Sequence, residues 1–452
     1  GIGVSIRPER GNEDYTKIET IVEGGPAGKS GQVKSGDRII GVSQDGGKMI
    51  DVIGWPSAEI VGLIRGKRGT KVTLKLLGSG ASMGQARTVT LVRDVIQEED
   101  AGVRSRTVEI NRDGKKHVFG VIEIPSFYLN YRARRAGTEY RSVSEDTNNA
   151  LRALSAKNVE GIIIDLRNNP GGSLEEVARM LGQVIKEGPV VQIRDGNGNV
   201  SVFEDNDGGL QTYAGPLAVL VNLASASASE IYSAAIQDYE RGIVIGSTTT
   251  GKGTAQVQLD TLAYGQATLT QRKFYRVTGG STQNKGVIPD IKLVDIYDEE
   301  FGERKAKNAL KWDTIPTAPF KREGSIQPYV AQLAQLSSQR VKLDPQFKYL
   351  DQRKAISQAG KEKKQLALDI DQRKAELKDL EQKTLAAENA RRQIAGQKPY
   401  ANWESYQASL EALAESRAKM KATQRPPLPE EETFVSEAAN VLLDYAKLKG
   451  QA

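Results

Sequence analysis

The chain has 452 residues, 38% of them apolar, enough for two to four domains with a core each. Its 63 basic and 57 acidic residues leave a net charge of only +6, and no basic stretch is interleaved with aromatics, which disfavours nucleic acid as a partner. Cysteine is absent and His117 is the single histidine, so thiol catalysis, disulfides and histidine-rich zinc sites are excluded, and a Ser-His-Asp triad would rest on one residue among strand-like neighbours.

Residues 1–95 read as strands, turns and one short helix. Apolar strand residues precede Gly24-Gly25-Pro26-Ala27, and a Gly36-Asp37 turn precedes "RIIGV". "SAEIVGLIRGKRGTKVTLKLL" then predicts an amphipathic helix near 58–65 with Ile60, Leu63 and Ile64 on one face, followed by a turn and an alternating strand. "GGPA…GQVKSGDRIIGV" together with "GIGV" at 1–4 resembles a PDZ domain. In such a domain a glycine loop turns successive N–H groups toward a terminal carboxylate while the peptide adds to a strand edge. The resemblance implies that Ile2, Gly3 and Val4 offer those amides and that Ile60, Leu63 and Ile64 line an apolar pocket.

From about 100 to 300 strand and helix patterns alternate, which predicts an α/β core. Buried strands are expected at 161–166, 215–222 and 241–246, with helices from about 173 and through Asp238. No apolar run approaches the ~20 residues of a membrane-spanning helix. From 301 onward the pattern is long, polar-rich helices, with Leu366, Ile370, Leu377, Leu380 and Leu385 at near-heptad spacing as packing or docking positions. "QRPPLPEEE" at 424–432 reads as a stiff linker before a last amphipathic helix.

Three core loops each follow one of these strands: "RNNPGG" (167–172), "ASASAS" (224–229) and "STTTGKGTAQ" (247–256). If the strands are parallel and joined by crossovers, their carboxyl ends share one edge, where ligand sites of open α/β sheets sit. That edge would gather a glycine turn, serines at a helix start and Lys252 between two glycines, the parts of a serine hydrolase that works without histidine. Ser227…Glu230 has capping-box spacing where Ser225…Ala228 and Ser229…Tyr232 do not, which places Ser227 at the helix N-terminus facing an incoming oxyanion. A plain helix cap would satisfy the same spacing. A lysine serves as base only when uncharged, which desolvation favours, and Gly251 and Gly253 are expected to help bury Lys252. Gly246 to Lys252 fits the first half of a phosphate-binding P-loop, but Gly253 replaces the required Ser/Thr and "AQVQLDT" alternates like a strand, which disfavours that use.

Together "SASASEI", "IQDY", "GKGTAQ", "IIIDLRNNPGG" and "KFYRVTGGSTQNKGVIPDI" resemble the C-terminal processing peptidases, and within them the tail-specific proteases, along most of the chain. The resemblance implies an α/β multidomain protein: a PDZ domain (1–95), a crotonase/ClpP-like α/β protease core (96–300) and a C-terminal helical domain (301–452). It implies Ser227 as nucleophile, Lys252 as base and Gln256 as the residue orienting that base. Oxyanion amides would come from Ala228 and either Gly171 or Gly172, and Asp238 would be supportive or a structural helix end. Pro170 departs from the glycine often found in this branch. Members of the branch carry a helical domain before the PDZ. The resemblance further implies a periplasmic serine endopeptidase without cofactor or metal, taking proteins with apolar C-termini, with the C-terminal helices as docking surface for a membrane-anchored lipoprotein adaptor. The rival expectation is a catalytically silent protein-binding or chaperone-like module.

Overall fold

The computed structural model describes all residues except 10–11, 23, 79–80, 97–101, 138–139, 205–210, 260–266, 296–301, 363–364, 366, 419, 421–424 and 451–452. It divides into two compact units, Gly1–Ala101 with Ala408–Arg425 and Gly102–Gln407 with Pro426–Ala452. Among the described residues no helix is long and apolar enough to cross a membrane.

In the first unit, β1 (Val4–Glu9), β2 (Asn12–Ile21), α1 (Pro26–Ser30), β3 (Arg38–Gln44), β4 (Ile50–Asp51), α2 (Ser57–Ile64), β5 (Lys71–Leu77) and β6 (Arg87–Val92) form an antiparallel sheet ordered β1-β2-β3-β5-β6, with β4 beside β3, and two helices. Alternation sets the faces: β5 buries Val72, Leu74 and Leu76 and exposes Lys71 and Lys75. The buried set packs with Ile2, Ile18, Ile60 and Ile64 into one core. Strand β1 ends the sheet, so its outer edge is unpaired among the described residues.

In the second unit the elements run β7 (Arg104–Arg112), β8 (Lys115–Glu123), α3 (Tyr131–Arg135), α4 (Val143–Ser155), β9 (Ile162–Asp165), α5 (Leu174–Gly182), β10 (Pro189–Asp195), β11 (Val200–Glu204), β12 (Leu217–Val221), α6 (Ala228–Asp238), β13 (Ile243–Gly246), β14 (Thr254–Leu259), β15 (Ala267–Tyr275) and β16 (Ile291–Lys292). Long helices follow: α7 (Gln327–Leu343), α8 (Pro345–Glu362), α9 (Ile370–Ile394), α10 (Trp403–Ala418), which is divided between the units, and α11 (Pro429–Leu448). The main sheet is ordered β16-β13-β12-β9-β8-β7, parallel from β16 to β8, with β7 antiparallel at its edge. A smaller antiparallel sheet runs β11-β10-β15-β14.

The continuous apolar runs of the parallel strands follow from burial on both faces. Ile162, Ile164, Leu217, Val219 and Val244 pack with residues of α4, α5 and α6, whereas Ile163, Ala218, Leu220, Ile243 and Ile245 pack with Leu333, Val435, Ala438, Ala439 and Leu442. Helices α7 and α11 thus cover the second face of the sheet. Helix α11 begins at Pro429 in its first turn, with Glu430, Glu431 and Glu432 at the positive end of its dipole, so the second half of "QRPPLPEEE" is helix rather than linker. Of the near-heptad positions, Ile370, Leu377 and Leu380 are exposed on α9, Leu385 is half-buried, and Leu366 lies outside the described residues.

Candidate active site

Because β9, β12 and β13 are parallel, the loops that follow them meet at one edge of the sheet. Asn168 and Asn222 join the first two: the Asn168 N–H donates to Asn222 Oδ1, and Asn222 Nδ2 donates to Asn168 Oδ1, both at 2.9 Å. Fully buried Asn169 adds more links, accepting from the Ala226 N–H (3.0 Å) and the Ser229 hydroxyl (2.9 Å) at its carbonyl and donating from Nδ2 to the Ile124 carbonyl (2.9 Å).

This stitching sorts the three serines. Ser225 and Ser229 are fully buried, and their hydroxyls donate to the carbonyls of Leu166 (2.8 Å) and Asn169 (2.9 Å). Ser227 is half-buried, and its Oγ has no hydrogen-bond partner among the described residues. It immediately precedes α6 without using its hydroxyl as a cap, and its backbone is held at φ 56°, ψ −112°, a conformation costly for a side-chain-bearing residue. The Ala228 N–H, first in the helix, has no partner among the described residues.

The glycine turn lies directly against this serine. A Cβ on Gly171 (φ +104°) would sit 2.8 Å from Ser227 Cβ and 3.0 Å from the Ala228 nitrogen, a separation only glycine permits. The Gly171 N–H is already engaged by Asn169 Oδ1 at 2.9 Å, whereas the exposed Gly172 N–H has no partner among the described residues.

Glu230, fully buried one turn into α6, links the serine to the lysine loop. Its Oε2 accepts from the N–H groups of Ser227 (2.9 Å) and Lys252 (2.8 Å), and its Oε1 from the Gly251 N–H (2.7 Å) and the Thr249 hydroxyl (2.5 Å). Both main-chain nitrogens of the expected dyad therefore lie within 2.9 Å of a single oxygen atom. Burial pushes the Glu230 carboxyl up from its usual range and the four donors oppose this. With only donors around both oxygens, the ionised form is the one the geometry fits.

Lys252 is half-buried, and its Nζ has no partner among the described residues. The flanking glycines serve close packing instead of enclosing the amine: a Cβ on Gly253 would fall 2.4 Å from the Gln283 nitrogen. Gln256 is exposed on β14 with its amide 3.5 Å from the Thr270 hydroxyl, and it makes no hydrogen bond to Lys252. Asp238 lies at the other end of α6, about 16 Å along the axis from Ser227, paired with Arg276 and accepting from the Thr278 hydroxyl (3.2 Å). His117 bonds Glu160 Oε2 at 2.8 Å, and Glu160 precedes β9, at the opposite edge of the sheet. Sequence reasoning missed the bridging role of Glu230 and the part of Asn169. The first was visible only as a capping spacing, and the second carried no signal.

In the first unit, the carbonyls of Gly1, Ile2 and Gly3 accept from the N–H groups of Asp94, Ala27 and Val22 at 2.8–2.9 Å, and Gly3 has φ +78°. The N–H groups of Ile2 and Gly3 have no partner among the described residues. Ile2, Ile60 and Ile64 are buried, and Val4, Ile6 and Leu63 pack half-buried against them beside the open edge of β1.

Residues 118–293 match the family model of peptidase family S41, residues 1–77 that of the PDZ domain, and residues 296–447 that of the C-terminal domain of tail specific protease. The tail-specific protease of Haemophilus influenzae is 40% identical over 389 residues, 83% of this chain and 53% of that protein. The carboxy-terminal processing protease CtpA of Bacillus subtilis is 31% identical over 293 residues, 65% of this chain and 55% of that protein. Among solved structures, a photosystem II D1 C-terminal processing protease is 27% identical with a TM-score of 0.39, covering 65% of this chain and 72% of that one. The chain spans about half the length of these curated relatives. With its core, its N-terminal domain and its C-terminal region matched in this way, the chain belongs to peptidase family S41.

Proposed function

We propose that the protein is a serine endopeptidase that captures polypeptides by an apolar C-terminal tail and cleaves them with Ser227 as nucleophile and Lys252 as base. The observation that carries this is the Glu230 carboxylate, which anchors the main chain of both residues, while of the three serine hydroxyls that of Ser227 alone has no partner among the described residues. Lys252 Nζ takes the Ser227 proton as Oγ attacks the peptide carbonyl. The N–H groups of Ala228 and Gly172, both without protein partners among the described residues, receive the oxyanion, and Gly171 is assigned a packing role. The Lys252 ammonium then protonates the leaving amine, and water releases the acyl group. Gln256 reaches Lys252 only by turning from Thr270, and Asp238 acts through its ion pair with Arg276.

The N–H groups of Ile2 and Gly3, without partners among the described residues, are assigned to the tail carboxylate, with Val4 leading into the edge of β1. The apolar side chains of the tail would rest against Leu63, above buried Ile60 and Ile64. The compartment assigned to the protein is the periplasm, as the resemblance of its motifs to the tail-specific proteases implies. A lipoprotein adaptor would find an apolar stripe at Ile370, Leu377 and Leu380. The test is cleavage of an unfolded protein ending in apolar residues. Ser227→Ala and Lys252→Ala are expected to abolish it and to leave tail binding intact, and full turnover by either variant would refute the assignment.

A further inference from the structure

The lysine loop is held from a second side, by the turn that opens the C-terminal region. The Gly253 N–H donates to Oε1 of fully buried Gln283 at 2.8 Å, and Gln283 Nε2 donates to Glu303 Oε1 at 3.0 Å. The Glu303 N–H in turn donates to the Thr250 carbonyl and Arg304 Nη2 to the Thr249 carbonyl, both at 3.0 Å. Glu303 and Arg304 begin a single helical turn, Glu303–Lys305. A closed circuit therefore runs from Thr250 through Glu303 and Gln283 to Gly253, with Lys252 on the loop it encloses.

On the lysine loop Glu230 fixes the N–H groups of Gly251 and Lys252 and the Thr249 side chain. The carbonyls of Thr249 and Thr250 and the N–H of Gly253, on either side of Lys252, are fixed by the circuit, while the carbonyls of Gly251 and Gly253 accept from the N–H groups of Asn284 and Phe274, both at 2.7 Å. Taken with the Ser227/Lys252 assignment on which it rests, we infer that Glu303 is a positioning residue for Lys252, assisted by Arg304, and that the C-terminal region thereby takes part in proton transfer. Glu303 and Arg304 bond the lysine loop and Gln283, so their loss should appear in kcat rather than KM.

The experiment uses the full chain with Glu303→Ala, Arg304→Ala and Glu303→Gln, and Lys252→Ala as control, on an unfolded polypeptide with an apolar C-terminus. Glu303→Ala is expected to lower kcat about 10- to 100-fold, with KM within about twofold of wild type. Arg304→Ala, whose side chain is exposed, should act in the same direction but less. Glu303→Gln, whose amide oxygen still accepts from Gln283, should restore kcat to near wild type, and thermal unfolding of all three should stay near that of wild type. Wild-type kcat in Glu303→Ala, or a loss that Glu303→Gln shares, would overturn the inference. If Lys252→Ala is inactive while Glu303→Ala is unimpaired, only the circuit fails. If Lys252→Ala itself retains activity, the dyad assignment fails.

Discussion

Glu230→Gln tests the link between the two halves of the site. Glutamine keeps the volume but offers one acceptor oxygen in place of two. If the amide nitrogen takes the place of Oε2, it faces the N–H groups of Ser227 and Lys252; if it takes the place of Oε1, it faces the Gly251 N–H and the Thr249 hydroxyl. Either seating deprives two donors of their acceptor, buried ones at Gly251 and Thr249 or part-buried ones at Ser227 and Lys252, at about 1–3 kcal/mol each, so a loss of about 2–6 kcal/mol is expected. The backbone atoms from which Ser227 Oγ and Lys252 Nζ are suspended lose their common anchor as well. A displacement of about 1 Å at such a site costs about 100-fold in rate. Urea denaturation of the full chain, followed through the second unit, and steady-state cleavage of an unfolded, apolar-tailed substrate give the two readouts, with tail-peptide affinity expected to hold. A Glu230→Gln variant with wild-type midpoint and wild-type kcat would refute the idea that this carboxylate organises the site.

Gly171→Ala should cost about 1–3 kcal/mol from its positive φ, and kcat should fall steeply because the new methyl group meets Ser227 Cβ; denaturation and turnover measured together check both parts. Ser229→Ala removes one buried hydroxyl-to-carbonyl bond and should cost about 1 kcal/mol, and Ser225→Ala, which also removes the acceptor of the Asn222 N–H (3.0 Å), about 2 kcal/mol, both retaining activity, in contrast to Ser227→Ala in the same cleavage assay. Burial pushes the Asp290 carboxyl up to about 6, with its Oδ2 accepting from the Val244 N–H. A raised folded-state value means that Asp290 favours the fold below about pH 4 and loses that contribution as pH rises through 6, a change of about 3 kcal/mol. The stability of Asp290→Asn relative to wild type should therefore rise by about that amount between pH 4 and 7, and parallel stability–pH curves for the two proteins would contradict it.

Much of the site is legible in the sequence because its parts obey local rules. The apolar runs at 162–165, 217–221 and 243–246 announce strands buried on both faces, and a parallel arrangement then brings their trailing loops to one edge. The Ser227–Glu230 spacing announces a helix start, although the Glu230 side chain returns to the Ser227 N–H while the serine hydroxyl makes no cap hydrogen bond. What the sequence conceals is long-range. Nothing near Glu230 shows that its second partner is the main chain of Lys252, because that bond depends on how the crossover from β12 through α6 to β13 closes. The glycines flanking Lys252 suggest enclosure of the amine, whereas the structure uses them to admit Gln283 and Asn284 at close quarters. The amphipathic pattern of α11 predicts a buried face but not that β9 and β12 lie beneath it. For α9, the same periodicity marks a stripe whose leading residues remain exposed.

The most direct measurement is peptide mapping by mass spectrometry after reaction of the full chain with a fluorophosphonate, which phosphonylates an activated serine. A single adduct on Ser227, formed at least about 100-fold more slowly in Lys252→Ala, is the expected result. Modification of Ser225 or Ser229 instead, or an equal rate without the lysine amine, would contradict the assignment of nucleophile and base.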